Sequence, residues 1–174
     1  MMVDQANKLR QIIDNLKLKE PTEQPEDKVA HKPKSAKVIT VTSGKGGVGK
    51  TNITINLAIA LSEIGKRVTI MDVLLGIAPK YTLGDVIYNN KNIIEVLSDG
   101  PKNIKFIGGG SGIEDLAKLD TYQIQKFLTN ISLLDKVSDI IFIDTGAGVS
   151  DSVMNFVMAA DEVILVATPE PTSI

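Results

Sequence analysis

A glycine-rich stretch that directly follows an apolar run carries the strongest chemical signal in this 174-residue sequence. Residues 43–51 read Ser-Gly-Lys-Gly-Gly-Val-Gly-Lys-Thr and satisfy the pattern Gly-x-x-x-x-Gly-Lys-Ser/Thr. Glycines at this spacing let backbone N–H groups converge on phosphate oxygens, and the N-terminus of the following helix favours anions. The pattern predicts a nucleotide-binding site made of Gly44, Lys45, Gly46, Gly47, Val48, Gly49, Lys50, Thr51 and Asn52.

Three side chains near this stretch are suited to ATP and Mg²⁺. Lys50 can reach the terminal phosphates, and the Thr51 hydroxyl can ligate Mg²⁺. Asp144 follows the apolar run at 140–143 and falls at the carboxyl end of a predicted strand, where ligands bind in sheets of this kind. We therefore predict Thr51 and Asp144 as metal residues; the alternative for Asp144 is capping of the next helix.

Strands and helices alternate after residue 37. Apolar runs predict strands at 38–42, 67–71, 104–107, 140–143 and 163–167. Helices are predicted at 52–64, 83–88 with Thr82 as N-cap, 92–97, 121–136 and 150–160. Strands buried on both faces and separated by helices predict an α/β fold, a doubly wound, mainly parallel sheet with helices on both faces.

The composition excludes several classes of function. The chain contains no cysteine, which excludes disulfide scaffolds, thiolate metal centres and cysteine nucleophiles. Its single histidine, His31, cannot by itself form a histidine metal cluster. Aromatic residues make up only 4%, so the core must be aliphatic. No apolar run approaches a bilayer span, and the first residues lack the layout of a secretory signal, which predicts a cytoplasmic protein.

The first 36 residues differ from the rest. Ala6, Leu9, Ile13 and Leu16 lie at helical spacing, so residues 1–18 predict an amphipathic helix. Residues 19–36 hold three prolines and eight charges and predict a flexible linker before a domain at 37–174. The helix is either a frayed terminus or a recognition element that docks into a partner's groove.

The glycine-rich motif, with a lysine at position 45, resembles the deviant Walker motif of the MinD/ParA ATPases. Residues 140–148 (Ile-Ile-Phe-Ile-Asp-Thr-Gly-Ala-Gly) resemble that family's switch II, whose Asp contacts hydrated Mg²⁺. The resemblance implies a P-loop ATPase that forms an ATP-dependent homodimer. It also implies catalytic roles for Lys50 and for Lys45, which would reach the partner's nucleotide; a solvated Lys45 is the alternative.

Residues 4–10 (Asp-Gln-Ala-Asn-Lys-Leu-Arg) resemble the D-Q-A-x-x-L-R motif of the FlhG (YlxH) branch, whose members control flagellar number and placement. The resemblance implies that this motif stimulates a GTPase of the FlhF type. It further implies contacts with flagellar C-ring proteins and reversible binding to the inner face of the cytoplasmic membrane through a C-terminal helix absent from this sequence. The implied partner-binding residues are Asp4, Gln5, Ala6, Leu9 and Arg10.

The sequence departs from the family pattern in two places. The switch I motif of the family contains two acids, and the segment after Asp72 is shortened, so Asp72 matches either of them. Asp72 is our candidate for the residue that positions the attacking water. The sequence also ends where family members continue. We expect parts of switch I and the C-terminal portion to be missing, and slow hydrolysis if the water-positioning acid is absent.

Other functions remain open at this level. A DNA-segregation or division-site ATPase, a P-loop kinase or ligase acting on a small molecule, and a nucleotide-locked scaffold all share the motif. From residue 38 onward there are 11 basic and 15 acidic residues, which weighs against nucleic-acid binding.

Overall fold

The computed structural model describes residues 35–72, 79–109 and 121–169. The predicted helix at 1–18 and the linker up to residue 34 lie outside the described residues, so the domain boundaries stay predictions. Within the described ranges, no helix is long and apolar enough to cross a membrane.

A six-stranded sheet forms the centre of the described chain. Its order is β3-β4-β2-β5-β1-β6, and every pairing is parallel except the one between β3 and β4. This confirms the predicted mainly parallel sheet. The strands are β1 (Lys37–Thr42), β2 (Val68–Asp72), β3 (Ser98–Asp99), β4 (Lys105–Gly108), β5 (Ile140–Asp144) and β6 (Glu162–Leu165).

Helices cover both faces of the sheet, as predicted. They are α1 (Lys50–Glu63), α2 (Leu83–Tyr88), α3 (Thr121–Ser132) and α4 (Asp151–Ala159), with short 3₁₀ helices at Ile93–Val96, Pro101–Asn103 and Leu133–Lys136. Ala58 of α1 packs with Val41 and Phe142 on one face. Leu83 of α2 and Phe156 of α4 join a second apolar cluster on the other face. Strand side chains therefore alternate between two separate cores.

The observed boundaries differ from the predicted ones in ways that hydrogen bonds explain. Helix α1 begins at Lys50, two residues early, because the carbonyl of the N-cap Gly49 already accepts from the Ile53 N–H at 3.0 Å. The segment predicted as a helix at 92–97 is a 3₁₀ turn in which the Asn92 side chain accepts from the Ile94 N–H. The single helix predicted at 121–136 divides at Ser132 into α3 and a 3₁₀ turn. The two-residue strand β3 was not predicted.

Helix α2 begins at the predicted cap. The Thr82 backbone N–H donates to the Asp85 carboxylate at 2.7 Å, which completes a capping box. This bond is the main reason that the pKa of Asp85 lies below its ordinary value. Thr82 also forms an isolated parallel β-bridge with Gly108, which fixes the start of α2 at the carboxyl end of β4.

Gly108 permits a close approach between β4 and the segment that precedes α2. A Cβ atom at Gly108 would lie 2.5 Å from Cγ of Pro79, a ring that cannot rotate away. We expect Gly108→Ala to lower the free energy of unfolding by about 2 kcal/mol through overpacking. Chemical denaturation measures the loss. Gly146→Ala is the control, because a Cβ there meets no atom within 4 Å, and an equal loss in both variants would contradict the steric explanation.

An ion pair fixes the end of the sheet opposite the carboxyl ends of the strands. Arg67 donates to the Asp139 carboxylate from Nη2 at 2.8 Å and from its backbone N–H at 2.9 Å. These bonds lower the pKa of Asp139 from 3.8 to about 2. Both side chains are more than one third exposed, so we expect the pair to contribute less than about 1 kcal/mol.

The depressed pKa of Asp139 predicts the pH dependence of this contribution. A carboxyl group whose pKa is lower in the folded state stabilises fully above its unfolded value and loses that effect as pH falls through its folded value. The stability difference between wild type and Asp139→Asn should therefore persist above pH 3.8 and vanish as pH approaches about 2. Urea denaturation across this range measures it, with Asp99→Asn as a control at another exposed ion pair. A difference that stays constant down to pH 2 would contradict this assignment.

Candidate functional site

The glycine-rich loop lies at the carboxyl end of β1, between that strand and α1. Strand β1 is flanked by β5 and β6, whereas the chain connects β1 first to the more distant β2. The loop therefore occupies a point where the strand order reverses, the usual position of ligands in doubly wound sheets. The described geometry is thus consistent with a phosphate-binding turn.

Two glycines of the loop have backbone conformations that other residues rarely adopt. Gly47 has φ +78° and Gly49 has φ +92°. Gly46 approaches the loop that follows β5, because a Cβ on it would lie 3.7 Å from Cβ of Ala147. Positions 47 and 49 thus favour glycine because of their positive φ angles, independently of the sequence motif.

Lys50 lies at the start of α1 with only 9% of its surface exposed. Its Nζ donates to Ser43 Oγ at 2.8 Å, and Ser43 Oγ donates to the Lys45 carbonyl at 2.7 Å. The ammonium group therefore lies at the beginning of the glycine-rich loop, where it can bind an anion.

The two predicted metal residues meet in the structure. Thr51 Oγ1 donates to Asp144 Oδ2 at 2.5 Å, and the Asp144 side chain is almost fully buried. Hydroxyl and carboxylate oxygens are the hard donors that suit Mg²⁺, which keeps several waters and takes its other ligands from phosphates. The donor set thus fits the predicted ion. The capping alternative for Asp144 is wrong, because Ser150 caps α4 and accepts from the Val153 N–H.

The structure locates the remaining predicted residues less completely. Asp72 ends β2, and its backbone pairs in register with Asp144, so both acids belong to the same edge of the sheet. Lys45 is half-buried, Val48 packs against the core under α1, and Asn52 is exposed in the first turn of α1. The predicted partner-binding residues at positions 4–10 lie outside the described residues. All these roles stay predictions.

Sequence reasoning missed the bonds that attach the loop after β5 to β1 and to Ser43. Thr145 donates to the Val41 carbonyl from Oγ1 at 3.0 Å and from its N–H at 3.2 Å. The Gly148 N–H donates to the Ser43 carbonyl at 3.0 Å. The only sequence signal was the presence of Ser and Thr beside the two motifs, residue types that often bond to nearby backbone.

Several known proteins are similar to this chain in sequence. A ParA model described as NUBPL iron-transfer P-loop NTPase matches residues 34–82. Antiactivator FleN of Pseudomonas aeruginosa is 43% identical over 146 residues, covering 79% of this chain and 52% of FleN. The flagellum site-determining protein YlxH of Helicobacter pylori is 35% identical over 154 residues, covering 80% of this chain and 51% of YlxH. The chain spans about half the length of these relatives.

A solved structure shares the fold and carries the expected ligands. The septum site-determining protein MinD of Pyrococcus horikoshii, complexed with Mg-ADP, superposes with a TM-score of 0.61 at 27% identity. The match covers 79% of this chain and 60% of that protein. The mainly parallel sheet and the helices on both its faces are therefore those of this group of proteins.

Proposed function

Since the chain belongs to the ParA/MinD family of P-loop NTPases, we propose that it is an Mg²⁺-dependent ATPase that acts as a dimerisation switch. In this role, ATP binding joins two subunits and hydrolysis separates them. We further propose that the switch regulates the number and placement of flagella, since YlxH, a flagellum site-determining protein, aligns over 80% of this chain. FleN, an antiactivator, aligns over 79% of it.

The observation that carries the ATPase proposal is the convergence of Lys50, Thr51 and Asp144 at the glycine-rich loop. The Lys50 ammonium is held by Ser43, and the Thr51 hydroxyl contacts the Asp144 carboxylate at 2.5 Å. Backbone N–H groups of residues 44–51 would bind the phosphates, and Lys50 would bind their terminal oxygens. Bound Mg²⁺ neutralises phosphate charge during transfer, and Thr51 and Asp144 would hold it.

Two further residues complete the proposed reaction. We assign Lys45 to the partner subunit's nucleotide, where its charge would stabilise the transferring phosphoryl group in trans, as an arginine finger does. We assign Asp72 to orientation of the attacking water, because it ends the strand that neighbours Asp144 in register. Hydrolysis by the chain should be slow if the rest of switch I is absent.

The cellular proposal includes three kinds of partner. Residues 4–10 would stimulate a GTPase of the FlhF type, the ATP-bound dimer would contact flagellar C-ring proteins, and the protein would bind reversibly to the inner face of the cytoplasmic membrane. The motif at the N-terminus and the similarity to a flagellum site-determining protein support this part of the proposal. Nucleic acid is not a proposed partner, because the region from residue 38 onward carries more acidic than basic residues.

Nucleotide titration tests the biochemical proposal directly. The chain should bind a fluorescent ADP analogue and hydrolyse ATP only when Mg²⁺ is present. Deletion of the gene should change the number or position of flagella counted by electron microscopy, and the intact gene should restore them. A purified, folded chain that binds no nucleotide would contradict the proposal.

The N-terminal motif gives a separate prediction. A peptide of residues 1–18 should accelerate GTP hydrolysis by an FlhF-type GTPase, because its apolar stripe would dock into a groove of that partner. Steady-state phosphate release measures the effect. A peptide with Leu9→Asp should lose it, since a charge interrupts the apolar stripe. No stimulation by the unsubstituted peptide would contradict the activator role, and equal stimulation by both peptides would contradict the role of the apolar stripe.

Division-site placement is the second candidate, favoured by the match to a septum site-determining protein. The two candidates differ in the phenotype of the deletion. Loss of a division-site regulator produces misplaced septa, which light microscopy of stained membranes detects. Misplaced septa with normal flagella would support this candidate over the flagellar one.

A further inference from the structure

Ser43 is a buried residue that was predicted neither to bind nucleotide nor to hold the metal ion. It follows the last residue of β1 and precedes the first glycine of the loop, and only 2% of its surface is exposed. Its hydroxyl accepts from Lys50 Nζ at 2.8 Å and donates to the Lys45 carbonyl at 2.7 Å. One hydroxyl group therefore joins the two lysines of the loop.

The bond to Ser43 orients the Lys50 ammonium group before any phosphate arrives. An ammonium group has three N–H donors, and the one used by Ser43 leaves two for phosphate oxygens. A long lysine side chain otherwise loses rotamer entropy when it binds. Preorganisation of this kind increases affinity by reducing that cost.

The bond to the Lys45 carbonyl orients a peptide group of the loop. A trans peptide points its C=O and its N–H in opposite directions. Because the carbonyl of Lys45 points at Ser43 Oγ, the N–H of Gly46 points the other way. The hydroxyl thus holds back a carbonyl oxygen that would repel phosphate oxygens if the peptide group rotated.

The backbone of Ser43 makes a third connection. Its carbonyl accepts from the Gly148 N–H at 3.0 Å, in the loop that follows the buried Asp144. Ser43 therefore contacts Lys50, the Lys45 peptide and the loop after β5 at the same time.

We infer that Ser43 is a positioning residue of the nucleotide site, which orients the Lys50 ammonium and the Lys45–Gly46 peptide group for phosphate binding. The inference rests on the proposed nucleotide-binding function. Ser43 contacts neither reacting atoms nor metal in this role and acts through Lys50 and the loop backbone.

The test compares three variants by titration with a fluorescent ADP analogue and Mg²⁺. Ser43→Ala should weaken binding about tenfold, the effect of losing one charge-assisted hydrogen bond. Ser43→Thr keeps the hydroxyl and should bind within about threefold of wild type. Thr40→Val is the matched control: it removes a buried hydroxyl of β1, which donates to the Phe156 carbonyl at 3.1 Å, and should leave the affinity unchanged.

A double-mutant cycle without nucleotide tests whether the bond between Ser43 and Lys50 contributes in the folded chain. Ser43→Ala and Lys50→Ala together should change the unfolding equilibrium by less than the product of their separate changes, because they remove the same bond. If Ser43→Ala does not fold, Ser43→Cys replaces it, since a thiol is a weak acceptor of similar size.

The outcomes distinguish the inference from the function on which it rests. A wild-type chain that binds no ADP contradicts the proposed function. Wild-type binding that Ser43→Ala leaves unchanged, or unfolding effects of the two substitutions that are independent, contradicts the role of Ser43 alone.

Discussion

Replacing Lys50 by Ala should weaken binding of ADP by at least about 100-fold, the largest effect expected of any single substitution in this chain. The reason is the position of its ammonium group, which is buried at the start of α1 and bound to Ser43 Oγ at 2.8 Å. A charge in this environment is poorly screened by water, so its bonds to phosphate are stronger than those of a surface lysine. Titration with a fluorescent ADP analogue measures the loss.

A control for this prediction lies near the other end of the same helix. Lys66→Ala removes the same charge from an exposed residue just after α1 and should leave the affinity unchanged. The Lys50→Ala chain should still fold, because the Ser43 hydroxyl keeps its bond to the Lys45 carbonyl, and circular dichroism checks this. A folded Lys50→Ala chain that binds ADP within about threefold of wild type would contradict the proposed role of Lys50.

The sequence predicted the central strands and the glycine-rich loop because both depend on local rules. Runs such as Ile140–Asp144 are buried on both faces and contain continuous apolar residues, which only a parallel sheet uses well. The loop has a fixed glycine spacing and lies between a strand and a helix. Since the carboxyl ends of parallel strands share one edge, the meeting of Thr51 with Asp144 followed from the order of the elements.

Other features depended on contacts between distant residues and could not be predicted. Strand β3 has only two residues, Ser98 and Asp99, and is defined by its antiparallel pairing with β4. Buried hydroxyl groups break the apolar pattern and bond to residues distant in sequence, as Thr69 of β2 does with Ser138, where the two oxygens lie 2.6 Å apart. The contacts of Ser43 belong to the same class, since its partners become neighbours only when the loop has folded.

The choice between two roles for Asp144 shows how the structure decides what spacing cannot. An acid shortly before a helix can cap that helix or face a metal, and the sequence allowed both. In the structure Ser150 caps α4, whereas the buried Asp144 carboxylate accepts from the Thr51 hydroxyl. The two roles thus belong to two different residues.

Replacing Lys45 by Ala should separate nucleotide binding from ATP-driven dimerisation. Its carbonyl accepts from the Ser43 hydroxyl at 2.7 Å, and the substitution keeps this backbone bond of the loop. We expect the affinity for ADP to stay within about threefold of wild type. Dimer formation with ATP should be lost, because the charge proposed to reach the partner's nucleotide is absent.

Light scattering coupled to size-exclusion chromatography measures this effect in the presence of ATP or ADP. Wild type should change from monomer to dimer with ATP, and Lys45→Ala should remain a monomer with both nucleotides. Lys66→Ala is again the control for loss of one positive charge and should dimerise like wild type. Lys45→Arg tests geometry, because a guanidinium keeps the charge but has a planar fork of donors. If Lys45→Ala dimerises with ATP as wild type does, the proposed contact of Lys45 with the partner subunit's nucleotide is wrong. Lys45 is then a solvated lysine of the loop.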